Sequence, residues 1–109
     1  MNLYKRTINR LIKKNISISV AESCTGGLLS STIVSIPGVS SIFNMGLIVY
    51  SNQAKFKLLK LNKKKLNKFG AVSKETANMM IINLNKISKS KLCISTTGIA
   101  GPAGESKNK

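Results

Sequence analysis

Ser23, Tyr50 and Lys55 are the residues of this chain whose types and spacing could support nucleophilic chemistry. The chain has no histidine, which excludes Ser-His-Asp and Cys-His machinery. A serine nucleophile still needs a base to take its proton, and a neutral lysine is then the natural candidate. Burial and nearby positive charge can lower a lysine pKa far enough for that role. Lys55 lies one turn into the helix expected after Tyr50, five residues beyond it, so its amine could reach back toward Ser23, with Tyr50 passing or holding a proton. Composition alone favours a solvated lysine at this position, because all but Arg6 and Arg10 of the 18 basic residues are lysine. Cys24 is a rival nucleophile, ranked below Ser23 because no histidine can pair with it.

Ser23 and Cys24 lie in the stretch Ala21-Glu22-Ser23-Cys24-Thr25-Gly26-Gly27, between a β-prone run and an apolar run. A strand, a small-residue turn and a helix are the expected elements. Thr25 is the expected helix cap through its hydroxyl. Gly26 and Gly27 let a ligand approach the backbone, and free N–H groups at the helix start attract anions. Glu22, one of three acidic residues, is suited to orienting the site, binding a ribose hydroxyl or satisfying a nearby lysine. Taken by itself, the stretch reads equally well as an ordinary strand-to-helix turn.

The elements around these residues follow from hydrophobic periodicity. Leu3 to Lys14 reads as an amphipathic helix with Leu3, Ile8, Leu11 and Ile12 near one face. Ile16 to Val20 alternates as a strand, and Gly26 to Ile36 reads as a helix stopped by Pro37-Gly38. Gly46 to Tyr50 is the expected second strand, buried, and Ser51-Asn52 caps a helix from Gln53 to about Leu59. Asn62 to Phe69 continues as a helix closed by Gly70. Ser73 caps a helix from Lys74 to Lys89, whose core stripe is Ala77, Met80, Ile81, Leu84 and Ile87. Leu92 to Thr96 is the third strand, leading into Thr97-Gly98-Ile99-Ala100-Gly101-Pro102-Ala103-Gly104 and a loose polar tail, Glu105 to Lys109.

Strands alternating with helices predict one layered α/β/α domain over residues 1–109 with a small, largely parallel sheet. Ligands gather at the carboxyl ends of such strands. Three small-residue polar turns occupy those ends, beginning at Glu22, Tyr50 and Thr96, and parallel strands would bring them to one edge.

Composition narrows the class further. A length of 109 residues suits one domain with a modest core, burying roughly two-thirds of the unfolded surface. No apolar run approaches the ~20 residues of a membrane span, and Met1 to Lys14 has no secretory h-region. Cys24 and Cys93 fit reduced thiols in a cytoplasmic protein. Two cysteines and three glutamates at scattered positions make no metal site. The net charge of +15 attracts polyanions, but abundant Lys, Ile and Asn together reflect AT-rich coding, and no nucleic-acid recognition motif accompanies the charge.

The blocks Ala21 to Gly27, Pro37-Gly38, Gly46 to Lys55, Gly70-Ala71-Val72-Ser73 and Thr97 to Pro102 stand in one order and spacing. Together they resemble the C-terminal domain of the CinA family of competence/damage-inducible proteins, whose stand-alone members are nicotinamide-mononucleotide deamidases. The resemblance runs from residue 3 to about residue 106. It implies hydrolysis of nicotinamide mononucleotide to nicotinic acid mononucleotide and ammonia, with no cofactor and no metal. By the same resemblance Ser23 is the nucleophile, Lys55 its base and Tyr50 an assisting residue. Thr97, Gly98 and Gly101 help bind substrate, and the backbone of Thr25, Gly26 and Gly27 stabilises an oxyanion or holds the phosphate. A homodimer is also implied. The family normally continues through a further strand and helix carrying a basic active-site residue, so the resemblance implies a domain truncated at its C-terminus. The alternatives are a non-catalytic relic or interaction module of the same family and, less favoured, a basic nucleic-acid-binding domain.

Overall fold

The computed structural model describes residues 2–99. Gly101 and the tail, for which a substrate contact and a loose conformation are expected, lie outside the described residues. Helix α1, Leu3–Lys14, opens with the Asn2 side chain accepting from Lys5 N–H and closes on Asn15 in the left-handed region. Lys13 and Lys14 in its last turn complement the helix dipole. Ile8 is buried with Leu11 and Ile12 packed beside it, whereas Leu3 is 77% exposed. The helix docks by its later turns, which leaves the first outside the core.

Strand β1 is Ile18–Glu22, two residues later than the periodicity predicts at its start. Ile16 N–H is held by Leu11 O, so that residue completes the helix end and not the sheet. Helix α2, Leu28–Val34, likewise starts two residues late, because Gly26 (φ 59°) and Gly27 (φ 102°) are left-handed. A 3-10 turn, Val39–Ser41, leads to β2, Phe43–Ile48. Helices α3 (Asn52–Leu59), α4 (Lys63–Phe69) and α5 (Lys74–Ser88) follow, then β3 (Leu92–Thr96). Ser51, Asn62 and Ser73 cap α3, α4 and α5 through their side chains.

The sheet order is β2-β1-β3, with both pairings parallel. β1 is central and buried along its whole length, while β2 alternates half-buried and exposed residues as an edge strand. This differs from the buried second strand expected over Gly46 to Tyr50. The register of β2 shifts where Ile18 pairs with Phe43 and Ser19 with Met45, so Asn44 is an extra residue. Such an irregularity switches the facing of the strand. Phe43 accordingly packs on one side of the sheet, and Met45 and Leu47 on the other.

Two apolar clusters make the three layers. One joins Ile8 of α1 and Ile33 of α2 to Ile18 and Val20 of β1, with Ile36, Val39 and Ile42. The other joins Leu59 of α3 and Met80 and Leu84 of α5 to Ala21 of β1, with Val49 and Leu61. In α5 Thr76 is buried beside Met80 and Leu84, while Ile87 is exposed, because the helix leaves the sheet before its last turn. Thr76 Oγ1 donates to Gly70 O, which satisfies its buried hydroxyl. Among the described residues, no helix is long and apolar enough to cross a membrane.

Candidate active site

The strand order reverses across β1, and its carboxyl end meets those of β2 and β3. Glu22 pairs with Ile48 on one side and Thr96 on the other, and Val49 N–H donates to Glu22 O at 2.7 Å. The turn after β1 therefore opens between the ends of the neighbouring strands, the position where α/β sheets bind ligands.

Ser23, the first residue of that turn, is buried, and its Oγ lies 3.0 Å from Lys55 Nζ. Lys55 reaches it because helical side chains lean toward the helix N-terminus. Ser51 fixes that end of α3 by accepting from Ala54 N–H. Lys55 is only 1% exposed, and its Nζ also donates to Val49 O at 3.0 Å and Tyr50 O at 3.3 Å. Burial is the dominant influence on this amine and lowers its pKa; the Coulombic effect of Cys24 raises it by less. A neutral amine keeps two N–H groups and one lone pair. In the structure Nζ donates to Ser23 Oγ as well; once the amine is deprotonated, the two carbonyls can keep its N–H groups, and the Ser23 proton that is directed at Tyr50 O can turn to the lone pair.

Tyr50 enters this arrangement by its backbone carbonyl, which also accepts from Ser23 Oγ at 3.5 Å. Its side chain is 67% exposed, so the ring is not enclosed with the Ser23–Lys55 pair. Cys24 is half-buried, and its Sγ would stand 3.3 Å from a Cβ placed on Gly98. Glycine at 98 thus lets the segment after β3 pass close to the turn. Thr97 Oγ1 donates to Ala71 O at 2.6 Å, tying the end of β3 to the loop before α5.

Thr25 does not cap α2. Gly27 is the cap residue and makes no side-chain bond. Glu22 supplies the cap from the end of β1. Its Oε1 accepts from Leu29 N–H at 2.8 Å, and its Oε2 from Ser30 N–H at 2.8 Å and Ser30 Oγ at 2.6 Å. Thr25 Oγ1 donates to Oε1 at 2.6 Å and contacts Thr96 Oγ1 at 2.8 Å. Burial, the largest single influence, raises the Glu22 carboxyl pKa. The hydrogen bonds from Ser30, Thr25 and Leu29 outweigh it, and the pKa lies below its ordinary value.

This geometry removes two expectations. Glu22 is fully buried and bonded within its own turn and helix, so it contacts neither a lysine nor solvent. Of the backbone donors expected for an oxyanion or phosphate at Thr25, Gly26 and Gly27, Gly26 N–H is taken by Ser23 O at 3.1 Å, and Leu29 and Ser30 N–H beyond them are taken by Glu22. Cys24 and Thr25 N–H remain as turn donors with no partner among the described residues. Ser30, the Val49 carbonyl and the capping role of Glu22 are the contributions that the sequence pattern did not single out. The available signal was an acid ending a strand ahead of a helix whose cap position is glycine.

The family model for the CinA C-terminal domain matches residues 1–109. The chain belongs to the CinA C-terminal domain family. A competence-damage inducible protein of Clostridium novyi is 54% identical over 99 residues, covering 91% of this chain and 24% of that protein. A CinA-like protein of Petrotoga mobilis is 50% identical over 99 residues, 91% of this chain and 25% of its own length. The chain thus spans about a quarter of the length of the curated relatives it matches. The crystal structure of the competence/damage inducible protein CihA from Agrobacterium tumefaciens superposes with a TM-score of 0.90 at 35% identity, covering all of this chain and 71% of that one. A CinA superfamily protein from Escherichia coli gives 0.89 at 28% identity, over 96% of this chain and 61% of its own. The CinA fold and the mixed α/β architecture are therefore common to this chain and those proteins. Among the described residues, no group of three His, Cys, Asp or Glu side chains could hold a metal ion.

Proposed function

We propose that this CinA domain is a cytoplasmic amidohydrolase that converts nicotinamide mononucleotide to nicotinic acid mononucleotide and ammonia. The observation that carries the reading is the 3.0 Å contact between Ser23 Oγ and the buried Lys55 amine. A lysine enclosed by two carbonyls and a serine hydroxyl, with its pKa lowered by burial, is suited to general-base catalysis and not to solvation. The Ser/Lys pair does the work that histidine does elsewhere, in a chain without histidine.

In this scheme Ser23 Oγ attacks the carboxamide carbon while its proton moves to Lys55 Nζ. The negative charge on the former carbonyl oxygen is held by the free turn donors Cys24 and Thr25 N–H. The tetrahedral species collapses, the C–N bond breaks, and Lys55 returns the proton to the departing nitrogen as ammonia leaves. Water then attacks the acyl carbon as Lys55 takes its proton, the C–Oγ bond breaks, and Lys55 passes that proton to Ser23 Oγ, which restores the hydroxyl and the neutral amine as the acid leaves.

The test is ammonia release from nicotinamide mononucleotide by the full chain. Turnover that falls by ~10³-fold or more in both Ser23→Ala and Lys55→Ala is the expected result. Turnover retained in both variants would overturn the Ser/Lys mechanism. An inactive chain that nevertheless binds the nucleotide would favour the non-catalytic binding module.

A further inference from the structure

The directions of the hydrogen bonds around Glu22 can be assigned from chemistry. Each carboxylate oxygen accepts from a backbone N–H, Leu29 on Oε1 and Ser30 on Oε2, and those donors cannot reverse. With hydrogen bonds from Ser30, Thr25 and Leu29 holding its pKa below the ordinary value, Glu22 is taken as the carboxylate, which only accepts. The single proton of the Thr25 hydroxyl goes to Glu22 Oε1. Thr25 Oγ1 must then accept in its 2.8 Å contact with Thr96 Oγ1, so Thr96 is the donor there. That leaves a lone pair of Thr96 Oγ1 for the backbone N–H of Ser23, 3.4 Å away. The same N–H also reaches Thr96 O at 3.1 Å.

We propose that Glu22 is a positioning residue for the nucleophile, acting through the directed relay Ser23 N–H to Thr96 Oγ1–H to Thr25 Oγ1–H to Glu22 carboxylate. This deepens the amidohydrolase reading and rests on it for the catalytic consequence. The relay fixes the peptide that enters Ser23 by giving its N–H, already bonded to Thr96 O at 3.1 Å, a second and longer acceptor at 3.4 Å. The next two N–H groups, of Cys24 and Thr25, stay available for an oxyanion. The carboxylate also caps α2, so one charge holds both ends of the turn that carries Ser23.

A helix cap alone would account for the bonds of Glu22 to Leu29 and Ser30 but not for its bond to Thr25 or for the contact of Thr25 with Thr96. Thr25→Val separates the two roles, because it breaks the relay and leaves the cap bonds in place. Labelling of Ser23 by a small phosphonofluoridate, in which Oγ displaces fluoride from phosphorus, reads the nucleophile without the nucleotide. Thr25→Val and Glu22→Gln should slow labelling by ~10- to 100-fold, with far-UV circular dichroism preserved in Thr25→Val. Thr25→Ser, which keeps the hydroxyl, should restore the rate. The Ser23 amide should exchange with deuterium faster in Thr25→Val than in the parent chain, and that readout does not depend on catalysis.

Labelling and amide exchange unchanged by Thr25→Val would overturn the relay and leave Glu22 as a helix cap. A parent chain that is not labelled at Ser23, but whose Ser23 amide loses protection in Thr25→Val, would support the relay. That outcome would overturn the amidohydrolase reading and not the positioning of Ser23.

Discussion

Gly46 of β2 lies directly under Ser30 of α2: a Cβ built on Gly46 would stand 2.5 Å from Ser30 Oγ, the same oxygen that donates to Glu22. A real Cβ cannot occupy that distance, so Gly46→Ala must displace either the hydroxyl or the helix. The expected cost is about 1–3 kcal/mol, read from the urea midpoint. Ser30→Ala removes the clashing oxygen, so the double variant should lose less than the sum of the two single changes. Strict additivity would show that the two residues are not coupled through this contact.

Gly26 and Gly27 are both left-handed, yet they meet different surroundings. An alanine Cβ at Gly27 would lie 2.9 Å from Ile48 Cδ1, whereas none at Gly26 meets an atom within 4 Å. Gly26→Ala should cost only the left-handed backbone strain, about 1 kcal/mol. Gly27→Ala should cost more, by up to about 2 kcal/mol, because Ile48 must also shift. Thermal denaturation of the two variants gives the ordering directly, and a larger loss at Gly26 would contradict it.

The pKa of Lys55 is lowered by burial and raised, less strongly, by Cys24. Removing the Cys24 sulfur should therefore lower the Lys55 pKa further. The neutral base would then be available at lower pH. The ascending limb of kcat against pH is expected to move toward acid in Cys24→Ala. A shift toward alkali would mean that Cys24 does not act on Lys55 in this way.

Lys55 also links stability to pH. Between its lowered folded pKa and its ordinary 10.5, the unfolded chain holds a proton that the folded chain lacks. Stability must rise with pH across that window. Lys55→Met should flatten this part of the profile, measured by urea unfolding at several pH values. An unchanged slope would show that Lys55 does not titrate differently in the folded chain.

Glu22 acts with the same sign at the acid end of the pH range. Its folded pKa lies below the ordinary 4.5, so its contribution is fully present above that value and is lost as pH falls through the folded pKa. Glu22→Gln should lose about 1–3 kcal/mol at neutral pH, because an amide NH2 must face donors on one side. It should also be less sensitive to acid than the parent chain. An acid limb identical to that of the parent would exclude Glu22 as its source.

Much of the architecture was legible because its causes are local. The caps Ser51 and Ser73, the glycines that end turns, and the apolar spacing in α5 act within a few residues, and the corresponding helices stand within one or two residues of expectation. Strand β3 stands at Leu92–Thr96 as expected, whereas β1 and β2 are displaced from their expected bounds. Ile16 is tied back to Leu11, and the extra residue Asn44 resets the pairing of β2; neither effect has a signature in alternation alone. Among the site residues, Ser23 and Lys55 were marked by the absence of histidine and by their positions after strands. Tyr50 was marked for its ring but contributes its carbonyl.

Residue type and near-neighbour spacing are enough for the α/β alternation, the caps of α3 and α5, the lack of histidine-based chemistry and the candidacy of one serine and one lysine. The β2-β1-β3 order, the burial of the Lys55 amine against Ser23, and the capping of α2 by Glu22 in place of Thr25 arise from contacts between distant parts of the chain. The bonds to Ser23 and Thr25 that complete the site cross 32 and 71 residues of chain. No local pattern encodes them, because they exist only once parallel pairing has brought three strand ends together.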